Sequence, residues 1–198
     1  VIADSTGVVE PLISTGELRT RVGQLAGEVR ATFDGNDIPI LISILKGSTL
    51  FLADLARAMD ITLEVDFMSI SSYAGSQGGS GVVRIVKDLD TDISDRDVLI
   101  VEDIVDTGFT LTYLRRTLGQ RGPRTLQTVT LLDKAARRIV PVPLEHKGFE
   151  IPDVFVLGYG MDFQGRYRNV PEILAVKDLA RLANDPLMLS DGLYGEVG

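Results

Sequence analysis

A length of 198 residues favours one compact core with at most a small appended lobe and argues against two full domains. Hydrophobic residues at 44% and charged residues at 24% set aside disordered and collagen-like classes and leave enough apolar side chain for a substantial core. A formal net charge of −8 with no basic run disfavours nonspecific nucleic-acid binding, and the absence of cysteine removes disulfides, thiolate nucleophiles and cysteine-ligated metals and fits a cytoplasmic protein.

Ser14 with Glu17 three residues on has the pattern of a capping box, and Leu18, Val22, Leu25, Val29 and Phe33 follow at helical spacing. Asp34 to Asp37 breaks that helix, and Ile38 to Leu45 is a short apolar run of the kind buried in a parallel sheet. Ser48 to Met59 returns to helix. Ile61 to Ile70 sets Leu63, Val65 and Phe67 against Thr62, Glu64 and Asp66, the alternation of a half-buried strand. Ala74 to Gly81 is rich in glycine and polar residues, with too little apolar surface to hold a loop rigid, so a loop that is mobile when empty is expected. Further on, Val82 to Val86 is predicted as a return strand, Val98 to Val101 as a buried strand, Thr110 to Gln120 as a helix and Leu126 to Leu132 as a strand. Strands at Val154 to Leu157 and Ile173 to Val176 and a short helix at Leu179 to Ala183 complete the series. The tail from Asn184 either packs loosely or docks on a neighbour. The alternation of β and α predicts an α/β fold, a mostly parallel sheet flanked by helices with ligands beyond the carboxyl ends of its strands. No run is apolar enough for a membrane span, and no signal pattern follows Val1.

The strongest chemical signal is the run from Val98 to Thr110. An apolar strand leads into Glu102 and Asp103, then Asp106, then Thr107, Gly108, Phe109 and Thr110 at the opening of a helix. Backbone N–H groups at a helix start carry partial positive charge, glycine permits close approach, and the two threonines add hydroxyl donors, so the turn suits a phosphate. Glu102 and Asp103 would repel phosphate but suit ribose hydroxyls or a bound Mg²⁺. A lone Asp-Thr-Gly would serve equally well as an acidic turn capping a helix; the whole run favours a sugar-phosphate site. His146, the only histidine, sits in a proline-rich connection with no partner motif and is read as incidental.

This run resembles the phosphoribosyl pyrophosphate (PRPP) motif of type I phosphoribosyltransferases, and the rest of the chain from Ile38 to Asp178 is similar to the hypoxanthine-guanine branch of that family. The matching segments are Leu45 to Ser48, Ser72-Tyr73, Leu132 to Lys134 with Arg138, Phe149 to Asp153, Gly158 to Phe163 and Arg166 to Asn169. The resemblance implies a single phosphoribosyltransferase domain over 1–198, with a core of about 10–150, a small hood from the N-terminal segment and about 151–183, and the tail 184–198. It implies purine salvage, in which phosphoribosyl passes from PRPP to hypoxanthine or guanine to give IMP or GMP and pyrophosphate.

Carried over residue by residue, Asp106 becomes the proton-transfer group at purine N7, and Glu102, Asp103, Asp106, Thr107, Gly108, Phe109 and Thr110 hold the ribose and 5′-phosphate. Lys46, Gly47, Ser72, Tyr73, Arg138 and Arg168 lie on the pyrophosphate side, with a non-proline cis peptide between Leu45 and Lys46 and a lid following Tyr73. Lys134, Phe155, Val156 and Asp162 meet the purine, and Glu102, Asp103 and Asp162 surround Mg²⁺. The resemblance further implies a homodimer or homotetramer, with no nucleic-acid or membrane partner. Two other readings stay open: a xanthine-preferring enzyme, and a nucleotide-sensing, RNA-binding regulator of the same fold. One departure is Phe109, where many members carry lysine. Phosphate binding then rests on backbone amides and hydroxyls, and the ring is expected beneath the loop or against another subunit.

Overall fold

Helix-start signals and short apolar runs set the order of elements. In the computed structural model, which describes residues 6–33, 35, 37–73 and 82–194, the chain runs β1 (Val9–Ile13), α1 (Thr15–Arg30), β2 (Ile40–Leu45), α2 (Thr49–Met59), β3 (Glu64–Tyr73), β4 (Val82–Lys87) and β5 (Asp97–Val105). It continues with α3 (Phe109–Gly119), β6 (Thr125–Asp133), one 3-10 turn (Ala135–Arg137), β7 (His146–Glu150), β8 (Phe155–Leu157), β9 (Ile173–Val176), α4 (Leu179–Asn184) and α5 (Ser190–Tyr194). The capping box closes at α1: Glu17 N donates to Ser14 Oγ at 3.3 Å, and Ser14 N donates to Glu17 Oε2 at 2.9 Å.

Six strands form one sheet in the order β4-β3-β2-β5-β6-β7, parallel except for β4 at one edge. Successive strand residues face opposite sides. Leu41, Leu99 and Val101 therefore pack with α1 and α2 through Leu25, Val29, Phe51 and Leu55, while Ile40, Ile42, Val98 and Ile100 pack with α3 through Leu111, Leu114 and Leu118. With both faces covered, the central strands carry near-continuous apolar runs, Ile40 to Ile42 in β2 and Val98 to Val101 in β5, as buried parallel strands do.

The same covering corrects the expectation for β3, which starts three residues later than the sequence pattern suggested and is not half-buried in the simple alternating sense. Met68 is fully buried against the α3 side, and Asp66, assigned to the polar face, is buried too. Asp66 is tolerated because its carboxylate accepts from the N–H groups of Phe67, Asp90 and Thr91 at 2.7 to 2.9 Å. Two strands were not foreseen. β1 contains Pro11, and β7 offers Phe149 as its only large apolar side chain. β7 carries His146, which is buried and bonded through Nε2 to Gln127 Oε1 at 3.0 Å.

A second sheet, β1-β9-β8, is antiparallel and lies with its own core of Val8, Leu157, Tyr167, Leu174, Leu182 and Leu189. The tail folds onto it: Leu189 is buried, Tyr167 Oη donates to Pro186 O at 2.5 Å, and Tyr194 Oη donates to Asn169 Oδ1 at 2.9 Å. Among the described residues no helix is long and apolar enough to cross a membrane.

Candidate active site

The carboxyl ends of β2 and β5 open onto a cavity of about 260 Å³, lined by the β5 end, by Thr107, Gly108, Thr110 and Leu111, and by Gly47 and Ile70. β5 extends through Val105, so Glu102 and Asp103 stand on the strand's last turn of pleat and not in the following loop. Gly108 is the N-cap of α3 with φ +90°. Its lack of a side chain serves the chain's own packing, because a Cβ there would lie 2.4 Å from Val140 O. The loop is braced from the same side: Thr107 O accepts from Ile139 N and Val140 N, both at 3.0 Å.

Glu102 is 5% exposed, and no hydrogen bond or ion pair reaches its carboxylate among the described residues. Burial, and then the neighbouring Asp103 charge, hold this carboxyl well above its usual range. Burial also pushes Asp103 up to about 6, against the opposing N–H of Ile104 and the charge of Arg168 and with a further push from Asp162. Asp103 presses on the β2 loop: a Cβ at Gly47 would sit 1.6 Å from Asp103 Oδ2. Two desolvated carboxylates side by side, one without any partner, form a donor set suited to a hard cation, which needs only one or two carboxylates when substrate and water supply the rest.

The three-carboxylate set expected for Mg²⁺ is not assembled, and among the described residues no group of three or more acidic or histidine side chains is placed to hold a metal. Asp162 instead pairs with Arg168 at 2.6 Å and accepts from Gly165 N at 2.6 Å.

A second cavity of about 270 Å³ adjoins the first and shares Asp103, Ile104 and Asp106 with it. Its other walls are Lys134 from the end of β6, Phe155 and Val156 from β8, and Met161 and Asp162 from the hood turn. Phe155 could have been an ordinary core aromatic. It is 38% exposed and its ring meets Phe163 edge-to-face, with centroids 6.0 Å apart. Among the described residues β8 is the edge of its sheet, paired on one side only, with β9. Lys134 is buried, with its Nζ 3.9 Å from Asp153 Oδ1.

The non-proline cis peptide expected between Leu45 and Lys46 is present, and Lys46 is exposed with no ion pair among the described residues. Arg138 turns inward, donating through Nε to Asp106 O at 3.1 Å and pairing with Asp133, so it supports the loop and lines neither cavity. Arg168 donates to Gly160 O at 2.6 Å and holds Asp162. Ser72 and Tyr73 end β3; their side chains, like the lid expected at 74–81, lie outside the described residues. Phe109 is 50% exposed at the first position of α3, not tucked beneath the loop.

Two contributors were missed from sequence. Arg137 reaches Asp106 Oδ1 at 3.1 Å and Asp153 Oδ1 at 3.2 Å. Gly160, at φ +101°, lets its turn rest on the loop after β2, since a Cβ there would meet Gly47 O at 2.0 Å. The paired arginines and the Gly-Tyr-Gly spacing were visible, but which arginine faces the site is decided by a 3-10 turn that no periodicity announces.

A parallel sheet whose carboxyl ends present an acidic strand end, a helix N-terminus and an adjoining aromatic-walled cavity defines a sugar-phosphate transfer site. Residues 14–164 match the family model described as "Phosphoribosyl transferase domain". The chain is 46% identical over 166 residues to the hypoxanthine phosphoribosyltransferase of Salmonella typhimurium, covering 83% of this chain and 93% of that one. It is 45% identical to the hypoxanthine-guanine phosphoribosyltransferase of Bacillus subtilis, covering 84% and 92%. The crystal structure of a hypoxanthine-guanine phosphoribosyltransferase from Bacillus anthracis superposes with a TM-score of 0.81 at 40% identity, covering 85% of this chain and 99% of that one. The chain belongs to the phosphoribosyltransferase family, in its hypoxanthine-guanine branch.

Proposed function

We propose that the chain is a purine-salvage enzyme, a hypoxanthine phosphoribosyltransferase that moves the phosphoribosyl group of PRPP onto N9 of hypoxanthine or guanine and releases pyrophosphate. The observation that carries this reading is that the two cavities join at Asp103, Ile104 and Asp106, as a site receiving a phosphorylated sugar on one side and a planar base on the other requires.

The backbone amides after Asp106 and the hydroxyls of Thr107 and Thr110 hold the 5′-phosphate. Lys46 and the Gly47 amide hold the pyrophosphate as the bond from C1′ to its oxygen breaks, stabilising the negative charge that leaves with it while positive charge develops on the ribose. Phe155 stacks on the base while the bond from N9 to C1′ forms, and the Val156 backbone meets the base edge. Lys134 donates to the 6-oxo oxygen; a 6-amino group would set donor against donor. Asp106 accepts the purine proton at N7. Glu102 and Asp103 would hold Mg²⁺ together with the ribose hydroxyls. When bound, that ion neutralises charge on the leaving pyrophosphate.

The test is incubation with PRPP, Mg²⁺ and one purine at a time, with the nucleotide identified by mass. IMP and GMP should form with pyrophosphate, and AMP should form at least about 100-fold more slowly. Equal rates with adenine would remove Lys134 from the specificity role, and no nucleotide with any purine would remove the activity. Xanthosine monophosphate formed faster than IMP would favour the xanthine-preferring reading.

A further inference from the structure

Lys134 to Arg138 wrap the end of β6 in a single 3-10 turn, from which the two arginines reach different partners. Arg138 goes inward to Asp133 and to the main chain at Asp106. Arg137 goes to side chains. Its Nε lies 3.1 Å from Asp106 Oδ1, and its Nη1 lies 3.2 Å from Asp153 Oδ1, the same oxygen that stands 3.9 Å from Lys134 Nζ. The result is an alternating chain of charge, Asp106, Arg137, Asp153 and Lys134. Its two ends line the base cavity and its two middle members do not.

The middle members are solvent-accessible, with side chains 46% and 51% exposed, and pairs this exposed contribute little to stability. Their geometry has a different consequence. Asp106 Oδ1 is buried from water, and Arg137 sits close to it without the alignment of a hydrogen bond. The cation therefore fixes where the carboxylate stands while leaving its lone pairs uncommitted to a donor. We propose that Arg137, braced by Asp153, is a positioning residue for the transfer reaction: it holds the proton-accepting carboxylate in register with the lysine that reads the 6-oxo edge. This rests on the activity proposed above.

The experiment measures kcat, KM for hypoxanthine, KM for PRPP and melting temperature for Arg137→Ala, Arg137→Lys and Asp153→Asn, each alone and in an Asp106→Asn background. Misplacement of a reacting group costs up to about 100-fold, so Arg137→Ala should lower kcat by roughly 10- to 100-fold with PRPP KM within about twofold and the melting temperature unchanged. Arg137→Lys should recover most of that loss, and Asp153→Asn should fall between. In the Asp106→Asn background, Arg137→Ala should add nothing, because the group it positions is already gone. An unchanged kcat in Arg137→Ala, or a loss that multiplies with that of Asp106→Asn, overturns the proposal while leaving the activity standing. A native chain that makes no nucleotide overturns both. If Arg137→Ala fails to fold, the kcat of Asp153→Asn and its dependence on Asp106 decide the matter by the same criteria.

Discussion

The phosphate-side and base-side cavities are nearly equal in volume, about 260 and 270 Å³, yet they are built in opposite ways. The first is largely one stretch of chain, the end of β5 and the opening turn of α3, and its chemistry is that of the backbone: a helix start at a left-handed Gly108, with three carboxylates, Glu102, Asp103 and Asp106, before it. The second is made of side chains from the ends of β5, β6 and β8 and from the hood turn, brought together only by the fold. A backbone site is written as a run of residues; a side-chain site is written as packing. The difference makes the phosphate side sensitive to charge and metal, and the base side sensitive to shape.

The largest expected effect separates them by charge. With the enzyme in excess chelator, turnover should fall by about 1,000-fold or more, since metal stabilisation of a leaving pyrophosphate is worth several kcal/mol. Hypoxanthine binding measured directly by calorimetry should persist. Undiminished turnover in chelator would take the metal away from Glu102 and Asp103.

A second expectation concerns stability. Asp103 titrates at about 6 in the fold against about 3.9 unfolded, so its ionised form disfavours the folded chain by roughly 3 kcal/mol above pH 6. Because the folded value is the raised one, this destabilisation is absent below about pH 4, grows between pH 4 and 6 and is full above. Asp103→Asn should therefore raise the melting temperature by several degrees at pH 8 in metal-free buffer and leave it unchanged at pH 3.5. A gain of the same size at both values would mean that the strain is steric. No such gain is expected for Phe155→Ala on the base side. That change should raise KM for hypoxanthine about tenfold and leave KM for PRPP alone, in keeping with the loss of one stacked ring. A matching rise for PRPP would show that the cavities are not independent walls.

The smallest expected effect returns to the phosphate loop. Phe109 is half exposed at the start of α3, so Phe109→Lys should lower KM for PRPP only a few-fold. The added cation attracts phosphate through solvent but opposes the helix dipole by about 0.3–1 kcal/mol. A change of 100-fold would show that the ring now blocks the loop.

The same contrast governs what could be read from the chain before its structure. The α1 start, β2, α2, β6, β9 and the run from Glu102 to Thr110 carry their own local signals, whether a capping box, an apolar run or a Gly at a helix start. β1 and β7 do not: Pro11 and the charges of Lys147 and Glu150 read as loop, and both strands exist because a neighbour, β9 or β6, supplies the pairing. Asp66 was placed on the wrong face because its burial is made tolerable by the N–H of the adjacent Phe67 together with those of the distant Asp90 and Thr91. Arg138 and Arg137 exchanged expected prominence for a similar reason: the direction of a side chain on a 3-10 turn follows from what packs beside it. Gly47 and Gly160 are plain in the sequence, but that one rests on the other can be seen only when the hood closes on β2.

On the proposed function, bond transfer takes place where the cavities join, at Asp106. The most direct test is Asp106→Asn, with turnover, PRPP affinity and hypoxanthine affinity measured on one preparation. Turnover should fall by about 10²–10⁴-fold, the range of general-base assistance, with both affinities within about threefold of the native values. Near-native turnover with weakened PRPP binding would make Asp106 a scaffold of the phosphate loop and move the reacting centre elsewhere.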